Sequence, residues 1–188
     1  MKQKYFFFDA ESNGLYGQAF VIGAIVYNEN GDEIDRIALR CPIDEEINSW
    51  VAENVIPKIS NIPLTNDSYD SMLQDFFNFW KKHKGNTAAV VHMGQIVESK
   101  LLLDGHAAGC FGDMEGPYEW IDVCSYNEIK DSVDNYIQQN NIDLPLNSEG
   151  LHNPLYDCEV TAKAYFHWQQ KRQQEKEELY QLKTKFLQ

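Results

Sequence analysis

Two hydrophobic rhythms run along this chain. Tyr5-Phe6-Phe7-Phe8 is an unbroken apolar run, and Ala19 to Tyr27 is another, interrupted only by Gly23. Runs without a polar side predict strands buried on both faces. From Asn28 to Asp32, an Asn-Gly step between strand-like residues signals a hairpin. Glu33 to Cys41, with Ile34, Ile37 and Leu39 spaced along it, is the returning strand. The chain therefore opens with three strands in an antiparallel meander.

Downstream the rhythm shifts toward a helical period. A short helix is expected around Glu45 to Glu53, and Pro57 and Pro63 mark a loop. Asn66 or Asp67 can cap a helix whose Tyr69, Met72, Leu73, Phe76, Phe77 and Trp80 form one wide apolar stripe ending at Gly85-Asn86. Thr87 to Val91 predicts a buried strand, Ile96 to Leu103 a helix, Gly105 to Tyr118 a loop, and Glu119 to Val123 a fifth strand. Ser125 can cap a helix carrying Ile129, Val133, Tyr136 and Ile137, followed by a polar connector from Asn140 to Gly150. A last helix begins near Leu155 or Asp157 and continues past Trp168 into a mixed-charge tail. There Leu179, Leu182 and Phe186 recur at helical spacing and could dock on the body or on a second copy. This order predicts one α/β domain over residues 1–172, a mixed five-stranded sheet flanked by helices, and a helical tail over 173–188.

Composition narrows the function. A chain of 188 residues suits a single domain with a substantial core. Its net charge of −13 argues against gripping a long duplex through many phosphates. The compact basic cluster Lys81-Lys82-His83-Lys84 falls where a helix should end and complements its dipole. The four cysteines are scattered with no C-x-x-C pair, which fits free thiols in a reducing cytoplasm. No signal-peptide pattern and no membrane-length apolar run is present, so a cytoplasmic protein without a membrane partner is expected.

Candidate chemistry sits where the first strand ends. Asp9 and Glu11 follow the apolar run, and side chains at i and i+2 of a strand project from one face. Carboxylates that close raise each other's pKa unless a cation lies between them, and oxygen pairs of this kind suit Mg²⁺ or Mn²⁺. A second stretch, His152 to Ala162, places a histidine in a loop and Asp157 in the first turn of the next helix. Together these residues provide the carboxylates and near-neutral base that metal-assisted hydrolysis requires.

D-x-E-x-x-G at Asp9, Glu11 and Gly14, with H-x-x-x-x-D-x-x-x-T at His152, Asp157 and Thr161, resembles the DEDDh 3′–5′ exonucleases of the RNase T and proofreading group. The resemblance covers about Lys4 to Trp168 and implies a ribonuclease H-like fold. One motif departs from it. The family's H-N-x-x-F-D after the fourth strand becomes His92-Met93-Gly94-Gln95-Ile96-Val97-Glu98, leaving Glu98 as the candidate for the middle ligand and Asp104 as a weaker one. The resemblance implies that Asp9, Glu11, Glu98 and Asp157 hold two Mg²⁺ or Mn²⁺ ions while His152 deprotonates the attacking water. It further implies that Gly14, Leu15 and Tyr16 receive the 3′-terminal nucleotide of DNA or RNA, and, since relatives are often dimeric, a homodimer. A catalytically weakened domain that binds nucleic acid or a protein partner is the main alternative. Haloacid dehalogenases also open on an apolar strand ending in Asp, but they place a second Asp where this chain has Glu11.

Overall fold

A computed structural model of the chain describes residues 2–129, 132–144 and 150–186, with the backbone alone at 186. Its centre is a five-stranded sheet in the order β3-β2-β1-β4-β5. Strands β1 (Lys4–Ser12), β2 (Ala19–Asn28) and β3 (Glu33–Arg40) form the expected antiparallel meander. Strands β4 (Thr87–Val91) and β5 (Trp120–Asp122) run parallel to β1 and complete the mixed sheet.

The apolar run of β1 is divided between two layers by its alternation. Phe6, Phe8 and Ala10 pack toward α1 (Ser49–Asn54), α2 (Tyr69–His83) and α3 (Val97–Ala107). Phe7 faces the other way, toward α4 (Val133–Gln139) and α5 (Pro154–Phe186). Phe6 stands edge-on to Phe76 and Trp80 at 5.9 and 5.3 Å between ring centres. Phe7 meets Tyr165 at 5.8 Å. Each ring fully removed from water contributes about 1.5–3 kcal/mol. Sandwiched this way, β1 is a stiff rod, and its last residues carry that stiffness to the surface.

Several helix boundaries differ from those the sequence predicts. The first helix starts at Ser49, because the Asn48 side chain accepts from the Trp50 and Val51 amides and ends the loop there. Ser68 caps α2 in a reciprocal pair with Ser71, while Asn66 turns inward to donate to Asp75 at 2.7 Å. Helix α3 continues through Gly105, which packs so tightly on Phe77 that a Cβ there would lie 1.9 Å from the ring. Ser125 ends a single 3₁₀ turn, Val123–Ser125, and Ser132 caps α4 instead, so Ile129 lies outside that helix. The connector expected from 140 to 150 falls in part outside the described residues.

Helix α5 is continuous from Pro154, and its residues from 170 to 185 are all exposed. Leu179 and Leu182 are each 53% exposed, so the tail does not dock on the body; Phe186's side chain lies outside the described residues. No helix among the described residues is long and apolar enough to cross a membrane.

Gly23 of β2 decides where α5 begins. It pairs across the sheet with Asp9, and a Cβ there would lie 2.7 Å from both Pro154 C and Leu155 N. The bare backbone lets the first turn of α5 settle onto the strand directly beside Asp9. Gly23→Ala is therefore expected to destabilise the fold by about 1–3 kcal/mol, read from the midpoint of urea unfolding. An unchanged midpoint would show that α5 can lift without cost.

Candidate active site

Strand β1 outruns its parallel neighbour. Pairing with β4 ends at Phe7↔Val90, whereas pairing with β2 continues to Ser12↔Ala19. Beyond Phe7 one edge of β1 is free, and there Asp9 and Glu11 project on the face that carries Phe7. Asp157, in the first turn of α5, arrives on the same face because Gly23 admits that helix. Ligand oxygens of Asp9, Glu11 and Asp157 all lie within 4.8 Å of one another. Oxygens on opposite sides of a Mg²⁺ ion are about 4 Å apart, given bonds of about 2.0–2.1 Å. The trio is spaced so that its oxygens could hold a divalent cation between them.

Glu98 reaches the free edge from the other layer. It is 4% exposed, and its Oε1 accepts from the Ala10 amide at 3.3 Å, an N–H that no strand pairs. The loop that delivers it is pinned by Asp122, whose carboxylate accepts from the Met93 and Gly94 amides, both at 3.0 Å. Met93 takes a left-handed conformation there, with φ of 58°. Glu98 is thus neither solvent-facing nor paired with Lys100, which bonds Asp104. Asp104 also accepts from the Tyr69 hydroxyl at 2.7 Å and stands outside the cluster. Glu98 abuts the trio without joining its closest set.

His152 sits in a tight turn with φ of 64°, its Nδ1 3.3 Å from Glu11 Oε1. Asn153 then caps α5 by accepting from the Leu155 amide, and Pro154 supplies the first helical residue. Trp50 stands edge-on to His152, ring centres 5.3 Å apart, and remains 53% exposed. A cavity of about 230 Å³ lies between these elements, lined by Asp9, Glu11, Asp157 and His152 and also by His92 and Asp134. The buried Nε2 of His92 has no hydrogen-bond partner among the described residues. An orphaned imidazole nitrogen beside crowded carboxylates fits a site meant to receive a metal ion and polar substrate atoms.

Electrostatics report the same crowding. Burial, then the charges of Asp157, Glu98 and Glu11, push the Asp9 carboxyl well above its usual range. Burial and the Glu11 charge raise Asp157 to about 8. Glu98 is raised to about 7, chiefly by burial, against hydrogen bonds that favour its anion. The hydrogen bond to Glu11 raises the His152 imidazole, and burial lowers that of His92.

Of the residues named from sequence, Asp9, Glu11, Asp157 and His152 meet in one cavity, with Glu98 behind it. Gly14, Leu15 and Tyr16 do not line that cavity: Gly14 holds φ of 82° in the β1–β2 turn, and Leu15 and Tyr16 are 61% and 78% exposed. They stand near α1 instead, since Asn13 of that turn bonds Glu46 and Asn48. Trp50 and Asp134 were not singled out from sequence. Neither sits in a motif, and only the Asn48 and Ser132 caps offer a local signal of where their helices start.

No protein-family model matches the sequence, and neither does any curated protein. Solved structures share the fold at low identity. The E. coli exonuclease I–ssDNA complex in its zinc-bound form matches at 10% identity with a TM-score of 0.62, over 89% of this chain and 40% of that one. A moderately thermophilic exonuclease I from Methylocaldum szegediense matches at 10% and 0.59, over 87% and 40%. Exonuclease X bound to 5′ overhanging duplex DNA matches at 17% and 0.57, over 87% of this chain and 89% of that one. The chain spans about 40% of the exonuclease I chains it matches. It shares their fold, a ribonuclease H-like mixed five-stranded sheet with flanking helices.

The raised acids set a pH dependence. Carboxyls whose folded pKa exceeds the unfolded value favour the folded state below about pH 4 and lose that contribution as pH rises through their folded values. For Asp157 and Glu98 the loss extends through about 8 and about 7. In metal-free protein, Glu98→Gln removes a buried carboxylate that is mostly ionised at pH 8 and mostly protonated at pH 5. It is expected to raise the thermal midpoint at pH 8 by about 3 °C or more, at about 2–4 °C per kcal/mol in a chain of this size, and by less at pH 5. Equal shifts at both pH values would mean that the Glu98 carboxyl does not titrate between them.

Proposed function

We propose that this protein is a metal-dependent 3′–5′ exonuclease hydrolysing phosphodiester bonds at single-stranded or short 3′ ends of DNA or RNA. One observation carries the reading: Asp9 and Glu11 from β1 meet Asp157 from α5, with His152 held against Glu11. The exonuclease fold supports it. Asp9, Glu11 and Asp157 are the residues to hold Mg²⁺ or Mn²⁺, with Glu98 completing a set for two ions. Bound there, the ions supply Lewis-acid stabilisation of charge on the phosphoryl oxygens.

The protein's own groups do the rest. Glu11 is an acceptor only, so the contact at 3.3 Å fixes the proton on Nδ1 of His152 and leaves Nε2 free to take one from the attacking water. Trp50 braces that ring from the side, and its exposed face offers a base a stacking surface. Leu15 and Tyr16, on the turn tied to α1, flank the terminal nucleoside. His92 has an unpaired ring nitrogen for a substrate oxygen. The free cysteines suit a reducing cytoplasm.

A second reading keeps the fold without full catalysis. Met93 replaces the family's Asn, and Glu98 is occupied by the Ala10 amide, which favours a weakened domain that binds nucleic acid or a protein partner.

A gel assay on 5′-labelled single strands of DNA and RNA, with Mn²⁺, Mg²⁺ or EDTA, separates the two. The exonuclease reading predicts a metal-dependent ladder shortened from the 3′ end, slowed about 10²–10⁴-fold by His152→Ala. Trp50→Ala should raise KM severalfold with a smaller effect on kcat. Binding without shortening, unchanged by these substitutions, favours the second reading. In metal-free protein Glu11 holds His152 protonated to higher pH than free imidazole. The His152 ring protons should therefore titrate by NMR with a midpoint above about 6.5. A midpoint at or below that value would mean that Glu11 does not engage the ring.

A further inference from the structure

A second opening lies beside the carboxylate cavity. It is a groove of about 510 Å³ between the segment following α1 and the start of α5, lined by Lys58, Ser60, Asn61, Asn153, Tyr156 and Glu159 among others. The turn from residue 150 to the first turn of α5 forms the partition. Gly150, Asn153 and Leu155 line the groove, while Leu151, His152 and Asp157 line the cavity.

The groove is held open by fixed backbone. Arg40 donates to the Ile59 and Ile62 carbonyls at 3.0 and 2.9 Å. On the other side, Asn153 Nδ2 donates to the Lys58 carbonyl at 3.3 Å and to Asn61 Oδ1 at 3.2 Å. Ile59 and Ile62 are buried beneath. The segment is thus anchored on both sides, and one anchor is the residue next to His152.

Among the described residues lining the groove, Lys58 is the basic side chain. Arg36, Lys82, Lys84 and Lys100 pair with carboxylates, while several other lysines, Lys81 and Lys171 among them, do not among the described residues. Among the described residues Lys58 has no such partner, and its carbonyl accepts from Asn153, the residue next to His152. Glu159, the acid on the groove wall, is satisfied by Arg36 at 2.9 Å. Lys58 is a half-buried cation beside the site with no carboxylate partner among the described residues.

We propose that the groove binds the phosphodiester backbone of the substrate strand adjoining the terminal linkage, with the Lys58 ammonium facing the flanking phosphate. Ser60 and Asn61 offer neutral hydrogen bonds to the same backbone. The ligand is a single-stranded polyanion, and contact through phosphate alone makes DNA and RNA equivalent at this position. The inference rests on the exonuclease reading, and Lys58 acts on affinity rather than on the bond broken.

Binding is measured by fluorescence anisotropy of labelled single-stranded DNA and RNA in the full chain carrying Asp9→Asn to hold off turnover. Lys58→Gln should weaken Kd about tenfold and flatten the salt dependence by about 0.7 in logarithmic slope, the value for one phosphate contact on a single strand. Lys58→Arg, which keeps the charge, should stay within about threefold. On a strand with a neutral methylphosphonate at the linkage 5′ to the terminal one, Lys58→Gln should cost less than about twofold. No binding, an unchanged Kd, or an equal loss on both strands overturns the proposal. The chain without substitutions is assayed for metal-dependent shortening alongside. Absence of shortening contradicts the exonuclease reading and leaves the binding comparison standing.

Discussion

Mutual repulsion among carboxylates at the end of β1 is the constraint on which the site depends. Asp9, Glu11 and Asp157 hold their oxygens within 4.8 Å, and Glu98 lies behind them. Left to themselves, such groups move apart or take up protons, and the raised Asp9, Glu98 and Asp157 show the second response. Closeness persists because each acid is carried by an element that cannot retreat. Asp9 and Glu11 extend a strand packed between two aromatic layers. Asp157 rides on a helix whose first turn is seated on Gly23. Glu98 is tied to the stretch of the β1 edge that β4 leaves unpaired.

The fold turns ordinary packing into an electrostatic trap. The two hydrophobic clusters on either face of the sheet share β1, so whatever stabilises them also fixes the acidic end of that strand. Asp122 and Asn153 act at a finer scale. One holds the loop that brings Glu98, the other the turn that brings His152. Both turns use left-handed backbone at a non-glycine residue, Met93 and His152, the kind of local cost found where function dictates geometry.

Much of this was legible in the sequence, for physical reasons. Four consecutive apolar residues ending in Asp-x-Glu specify a buried strand with two acids on one face, because strand periodicity is 2 whatever the context. The antiparallel meander followed from the Asn-Gly hairpin. Asp157 could be placed in a first helical turn from local pattern alone. Features set by tertiary contact were not legible. The sequence pattern offers Asn66 or Asp67 as the cap of α2, but Ser68 takes that place and Asn66 is recruited by Asp75. Gly105 looked like a loop residue, whereas the helix needs it bare so that Phe77 can pack there. The burial of Glu98 depends on β4 being shorter than β1. Trp50 meets His152 from α1, a helix whose cap Asn48 is bonded to Asn13 of the β1–β2 turn, a contact between distant parts of the chain.

The central claim is that these acids are held together, partly protonated, for a divalent cation to take the protons' place. Calorimetric titration with Mn²⁺ at pH 7, repeated in buffers of different ionisation enthalpy, tests it most directly. The account predicts saturable binding that releases on the order of one proton per chain, since metal must displace protons from ligands raised to about 7 and about 8. Absence of binding, or binding whose heat does not depend on the buffer, would contradict it.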